Sequence, residues 1–403
     1  MIQASNTGDT AWLLAATVLL LLAALPGLAL FKAGRAPSGS FVATLVQTAG
    51  LAAAVSLAWT VVGYTLAFGN VGSGWLGGGN AWMLLQLGSV REGLTVPESA
   101  FALFQIICAI LAVTIMPGAW SGRARFGWVM LFGTLWSLVV LAPIMHWLWG
   151  GGWLAAATGS IDYAGGMTIE VCAGTSALVT AMLMGRGRAF GHERSRTRLS
   201  PIALCGALLS WIGWLALCGG SAFAANDDAA TAMISAHVAG CAGLLARLVI
   251  DRLRGRAVLV ESAACGLVAG LAAIAPAALY VSPGAAMAIG ATGAALSVAA
   301  AALVRRMGID DRLDVFALFA VPGATGSMLL AVFLARTLGG AGYDGGMNVI
   351  AQLVAQTIAV IVVMAWSALG STIIALMASL AFRMRVSEAS EEIGLDAATH
   401  GEA

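Results

Sequence analysis

An all-α membrane protein with eleven transmembrane helices is the fold class this sequence predicts, and three observations carry that expectation. Hydrophobic residues make up 60% of the 403 positions and charged residues only 10%, too few charges to cover a soluble surface. Apolar runs long enough to cross a bilayer, about 20 residues each, recur from end to end. Finally, when those runs are threaded back and forth, all of the 20 Lys and Arg residues except Arg91 and Arg336 fall on one side. Such a bias marks the cytoplasmic side.

The first run, 11–32, follows Gln3, Ser5, Asn6, Thr7 and Asp9 with no basic residue, which is the wrong flank for a cleavable signal peptide. The next runs are 41–69, 99–121, 127–148, 163–185, 200–222, 230–250, 257–278, 284–304 and 315–336. The last, 348–382, exceeds the bilayer and implies tilt or projection. A membrane β-barrel would show short alternating segments instead. The charge bias puts the N-terminus outside and the C-terminus in the cytoplasm of an inner-membrane, multi-pass protein. Residues 1–384 then form the transmembrane domain and 385–403 a cytoplasmic tail carrying Glu388, Glu391, Glu392, Asp396 and Glu402.

The 51 glycines predict close helix approach. Cys108, Cys172, Cys205, Cys218, Cys241 and Cys265 lie in apolar stretches with no CxxC pair, and read as small buried hydrophobes. A net charge of +1 offers no surface for nucleic acid. Neither metal-ligand spacing, nor a phosphate loop after a strand, nor a hydrolytic triad is present, so neither a cofactor nor an enzymatic reaction is expected. An odd helix number suggests five plus five plus one. Asp162 in DYAGG and Asp314 in DVFAL open the fifth and tenth runs alike, a weak echo of the inverted repeats common in transporters.

Seven strings then align in order with one family. They are PGLALF at 26–31, GYTLAFG at 63–69, PIMHWLWGGG at 143–152, DYAGG at 162–166, IGWLALCGGSAFAAN at 212–226, DDRLDVF at 310–316 and GLDAATHGE at 394–402. Through them the chain resembles the ammonium transporter (Amt/Mep/Rh) family, most closely its bacterial branch. The resemblance implies a 5+5 pseudo-twofold fold and a homotrimer with one pore per subunit. It also implies transport of ammonium, ammonia or methylammonium, and a tail regulated by a PII-type signalling protein.

For an outer recruitment site, the resemblance points to Trp149, Ser221 and Asp162. A cation over an indole gains about 0.5–2 kcal/mol, a hydroxyl accepts an N–H, and a buried anion attracts from below. Read without the family, Trp149 fits an interfacial aromatic belt and Asp162 a helix cap. Phe104 and Gln105 match the family. The two aromatic gate positions hold Cys108 and Leu217 instead, leaving a wider entrance or one filled by other side chains such as Trp214. The mid-pore departs further. The family's paired histidines align with Glu170 and Phe319, and none of His146, His192, His237 and His400 takes their place. Of these, His237 reads as a packed, hydrogen-bonded core histidine, and His146 lies near the outer mouth.

A carboxyl at bilayer depth is costly when charged unless a cation pairs with it, so Glu170 is suited to bind ammonium or accept its proton. Some fungal members of the family are also acidic there. Phe319 offers no proton site and adds bulk. Three functions follow: an ammonium pore rewired around Glu170, a pore-inactive ammonium-binding sensor or partner subunit, and a pore for another small solute.

Overall fold

The computed structural model describes residues 5–401 except 73, 80, 81, 86, 189, 192–198, 256 and 258; His192 lies outside the described residues. Among the described residues, ten helices are long and apolar enough to span a membrane, and an eleventh is shorter. They are α1 (Thr7–Ala33), α2 (Phe41–Phe68), α3 (Glu98–Trp120), α4 (Phe126–Thr158), α5 (Gly166–Met184), α6 (Ser200–Gly220), α7 (Asp227–Leu253), α8 (Val260–Ile274), α9 (Pro283–Arg306), α10 (Phe316–Phe333) and α11 (Val349–Ala381). Two short helices of the tail follow, α12 (Glu388–Ile393) and α13 (Leu395–His400). One small hairpin, β1 (Asn70–Val71) with β2 (Gly77–Gly78), lies between α2 and α3. All eleven predicted runs are present. The eighth is shorter than its sequence run of 257–278 because the chain turns after Ile274.

Side-chain oxygens at the N-termini define where several helices begin. Asn6 caps α1, Asn226 caps α7, Ser282 caps α9 and Asn348 caps α11. Each accepts first-turn N–H groups that have no partner within the helix. Packing then follows the glycines. On α6, a side chain at Gly206 would collide with the backbone of Phe31, and one at Gly213 with Ala23, so α1 and α6 meet backbone to backbone. The same holds for α5 and α10, where Gly174 abuts Ala320 and Gly323 abuts the Gly166 carbonyl. These are the first and last helices of each half, crossing in pairs at the centre of the 5+5 arrangement.

Both central helices open on wide π-turns, Gly166–Val171 in α5 and Phe316–Ala320 in α10, a feature frequent at functional sites. The turns have matching acids. The Asp162 carboxylate accepts the N–H groups of Met167 and Thr168, and the Asp311 carboxylate that of Phe316 at 2.8 Å. The structural counterpart of Asp162 is therefore Asp311. The sequence comparison chose Asp314 because both acids precede an aromatic.

The basic residues are less exposed than a loop assignment implies. Lys32 ends inside α1, 3% exposed, and its Nζ donates to Thr48 Oγ1 at 3.0 Å and to the Thr114 carbonyl. Arg35 and Arg123 are buried too. Arg123 pairs with Asp310 at 3.0 Å and Arg35 with Glu261 at 2.9 Å. Two cysteines also differ from expectation: Cys205 is exposed and Cys241 half-buried. His237 is exposed rather than packed; its ring stacks on Trp211 with centroids 5.0 Å apart.

The tail is docked rather than solvated. Val386 N–H donates to the Arg123 carbonyl, and Arg385 pairs with Glu391 at 2.6 Å. Further on, the Asp396 carboxylate accepts the N–H groups of Phe41 and Ala43, both at 2.8 Å. It thereby caps α2 from the far end of the chain.

Candidate functional site

A cavity of about 260 Å³ opens at the end of the bundle where α1 begins. Its walls come from the start of α3 (Phe101, Phe104, Gln105), the break in α4 (Leu148, Trp149), the segment before α5 (Tyr163) and the end of α6 (Ser221, Phe223). The sequence had singled out Trp149, Ser221, Phe104 and Gln105, and the fold brings these four together. Tyr163 and Phe223 were missed. Phe223 sits in the left-handed region at φ +52°, a conformation costly for a bulky residue, and no propensity rule flags it. Its ring packs on Phe101 at 5.1 Å and on Phe104 at 5.7 Å.

Local bonds orient the polar groups. Trp149 Nε1 donates to the Asp162 carbonyl at 2.6 Å, which fixes the indole and leaves its face to the cavity. Gly165 adopts φ +101°, and a side chain there would lie 3.2 Å from the Trp149 ring. Ser221 Oγ donates its hydrogen to the Leu217 carbonyl at 2.8 Å. The oxygen that faces the cavity is therefore an acceptor, the polarity that an N–H ligand requires. Burial pushes the Tyr163 phenol upward, so it stays a neutral O–H.

Asp162 itself does not line the cavity. The residue is 6% exposed and its carboxylate is turned inward, accepting from Met167 N, Thr168 N and Thr168 Oγ1 at 2.7–3.1 Å. Burial pushes this carboxyl up, while the hydrogen bonds from Thr168 and Met167 pull it down. At the rim, the Arg91 guanidinium lies 4.7 Å from the Phe101 centroid and pairs with Glu98 at 3.0 Å. The positive charge at the rim is thus offset by its own acid.

Below the cavity lie Cys108, Leu217, Trp214, Glu170 and Phe319, all buried. Trp214 is fully buried on α6. Phe104, in the cavity wall, packs so tightly on α6 that a side chain at Gly220 would lie 2.7 Å from its ring. Glu170 is fully buried on the α5 π-turn, and neither carboxyl oxygen has a hydrogen-bond partner among the described residues. Phe319 occupies the π-turn of α10, 3% exposed.

Asp314, grouped by its sequence match to Asp162 with the pore residues, binds Arg305 at 2.6 Å and lies 3.7 Å from Arg35, in the ion-pair cluster at the basic end. His146, which the sequence places near the outer mouth, is fully buried, with Nδ1 at 2.9 Å from the Ala67 carbonyl. Among the described residues no group of three or more His, Cys, Asp or Glu is placed to hold a metal.

The Ammonium Transporter Family model matches residues 11–403. An ammonium transporter of Aquifex aeolicus is 35% identical, over 98% of this chain and 93% of its own. One from Bacillus subtilis is 34% identical, over 98% of each. Among solved structures, Mep2 of Saccharomyces cerevisiae superposes with a TM-score of 0.85 at 27% identity, over 95% of this chain and 90% of that one. A structure titled Sensor Amt Protein superposes at 0.90 with 23% identity, covering 97% of this chain and 98% of that one; at that identity the likeness is one of fold.

Proposed function

Because the chain belongs to the ammonium transporter family, we propose that it moves ammonium or ammonia through a pore in each subunit, with Glu170 in place of the histidine pair. In this reading the cation sheds water in the aromatic cavity, over Trp149 and against Ser221 Oγ. It then passes Phe104 toward Glu170. Asp162 acts from behind, holding Trp149 through its carbonyl and the α5 π-turn through its carboxylate. The membrane is the cytoplasmic one, with the tail inside. The homotrimer and a PII-type protein at the tail face belong to the same proposal.

One observation carries it: Glu170 is a fully buried carboxyl with both oxygens unpartnered among the described residues. A structural acid would be paired, since an unmet buried polar group costs about 1–3 kcal/mol. An acid that meets a passing cation has to keep its oxygens free. The test is uptake of methylammonium by vesicles reconstituted with the parent and with Glu170→Gln. The amide keeps the shape and removes the charge, so uptake should be lost or lose its selectivity over potassium. Equal uptake with equal selectivity would make the carboxyl structural.

The second reading, a pore-inactive ammonium sensor or partner subunit, is favoured by Phe319. Its bulk is buried on the opening π-turn of α10, where the family has an imidazole. Binding at the outer cavity with no flux through the parent protein would establish it.

A further inference from the structure

On the outer flank of the bundle, α9, α10 and α11 enclose an apolar groove of about 490 Å³. Leu296 of α9, Phe316, Ala320, Ala324 and Met328 of α10, and Ile361 of α11 form its walls. Two of the three lining hydroxyls, those other than Thr292, are bonded back to their own helices. Thr325 Oγ1 donates to the Val321 carbonyl at 2.7 Å, and Thr357 Oγ1 to the Leu353 carbonyl at 2.7 Å. All three helices are membrane spans, so whatever fills the groove is apolar at that depth. From Phe316 to Leu329, α10 rises about 20 Å, at 1.5 Å per residue. The groove is therefore longer than half of a hydrocarbon core about 30 Å thick.

The end of α9 supplies the matching charge. Arg305 is engaged by Asp314, but the next residue, Arg306, is exposed and has no carboxylate partner among the described residues. An apolar slot running along a span and a guanidinium at the same end of the bundle match a phospholipid: chain below, phosphate above. We propose that this groove is a specific site for one acyl chain of an anionic phospholipid, from the leaflet that the end of α9 faces, with Arg306 meeting its phosphate.

The test uses the full-length protein in detergent, titrated with phosphatidylglycerol and with phosphatidylethanolamine of the same chains, and read by native mass spectrometry. Ala324→Phe fills the slot from α10. Ile361→Trp fills it from α11 and serves if the first variant does not fold. Each should weaken the tightest-bound phospholipid at least tenfold. Arg306→Ala should keep that lipid but lower the preference for phosphatidylglycerol several-fold. Equal lipid number and affinity in the parent and the groove variants would overturn the site. A groove variant that changes only the oligomeric state, with lipid binding unchanged, would overturn it too and give the groove to a second copy of the chain. An unchanged headgroup preference in Arg306→Ala would remove Arg306 from the proposal.

Discussion

Replacing Trp149 separates recruitment from packing, because the indole does two things at once. Its face borders the cavity and its N–H holds the Asp162 carbonyl at 2.6 Å. Trp149→Leu removes both. Loss of the aromatic face costs about 0.5–2 kcal/mol of cation attraction. At RT of about 0.59 kcal/mol, that is a two- to thirtyfold weaker apparent affinity for methylammonium. Loss of the N–H leaves a carbonyl unpaired, at about 0.5–1.5 kcal/mol of stability. Trp149→Phe keeps a smaller aromatic face and loses the same N–H. Both variants should therefore lower the unfolding temperature by a similar amount, while affinity falls further in the leucine variant than in the phenylalanine one. The assay is the concentration dependence of uptake in reconstituted vesicles, with thermal unfolding of the same preparations. Unchanged affinity in the leucine variant would refute the recruitment role and return Trp149 to interfacial packing. Equal affinity losses in both variants would assign the effect to Asp162 and not to the ring.

Three further outcomes are expected. Phe319→His should raise uptake to or above that of the parent; no change would show that the ring packs aside from the pathway. Asp396→Ala removes the cap on α2, at about 0.5–2 kcal/mol, and should make the tail more susceptible to protease while Asp396→Asn loses less; equal resistance in all three proteins would show that the cap does not hold the tail. A reporter fused after Ala403 should be inaccessible from outside intact cells, as the bias in basic residues requires; labelling from outside would invert the topology.

Much of the fold was legible because lipid simplifies the code. Runs of about 20 apolar residues have one reading, and all eleven helices are where the runs lie. The details that failed share a cause: they depend on what a side chain meets across the bundle. Lys32 counts as a loop charge until its acceptors on α2 and α3 are seen. Asp314 resembles Asp162 in its neighbours along the chain, yet its carboxylate faces arginines instead of helix N–H groups. At the site, Trp149 and Ser221 were found through their strings. Phe223 was not, because its place depends on an unusual φ of +52°. His146 looked available near the mouth, but the Ala67 carbonyl on another helix holds its ring inside.

The cap on α2 also carries a consequence for biosynthesis. The acceptor for the first N–H groups of α2 is made 353 residues after Ala43. At a synthesis rate of about 5–20 residues per second, α2 waits roughly 20–70 s for it. During that interval the first N–H groups of α2 lack the acceptor they have in the folded protein. A polypeptide that stops before Asp396 lacks the acceptor that closes the start of α2. Truncation before Gly394 should shorten the lifetime of the membrane-inserted protein in pulse–chase labelling, whereas truncation after His400 should leave it unchanged.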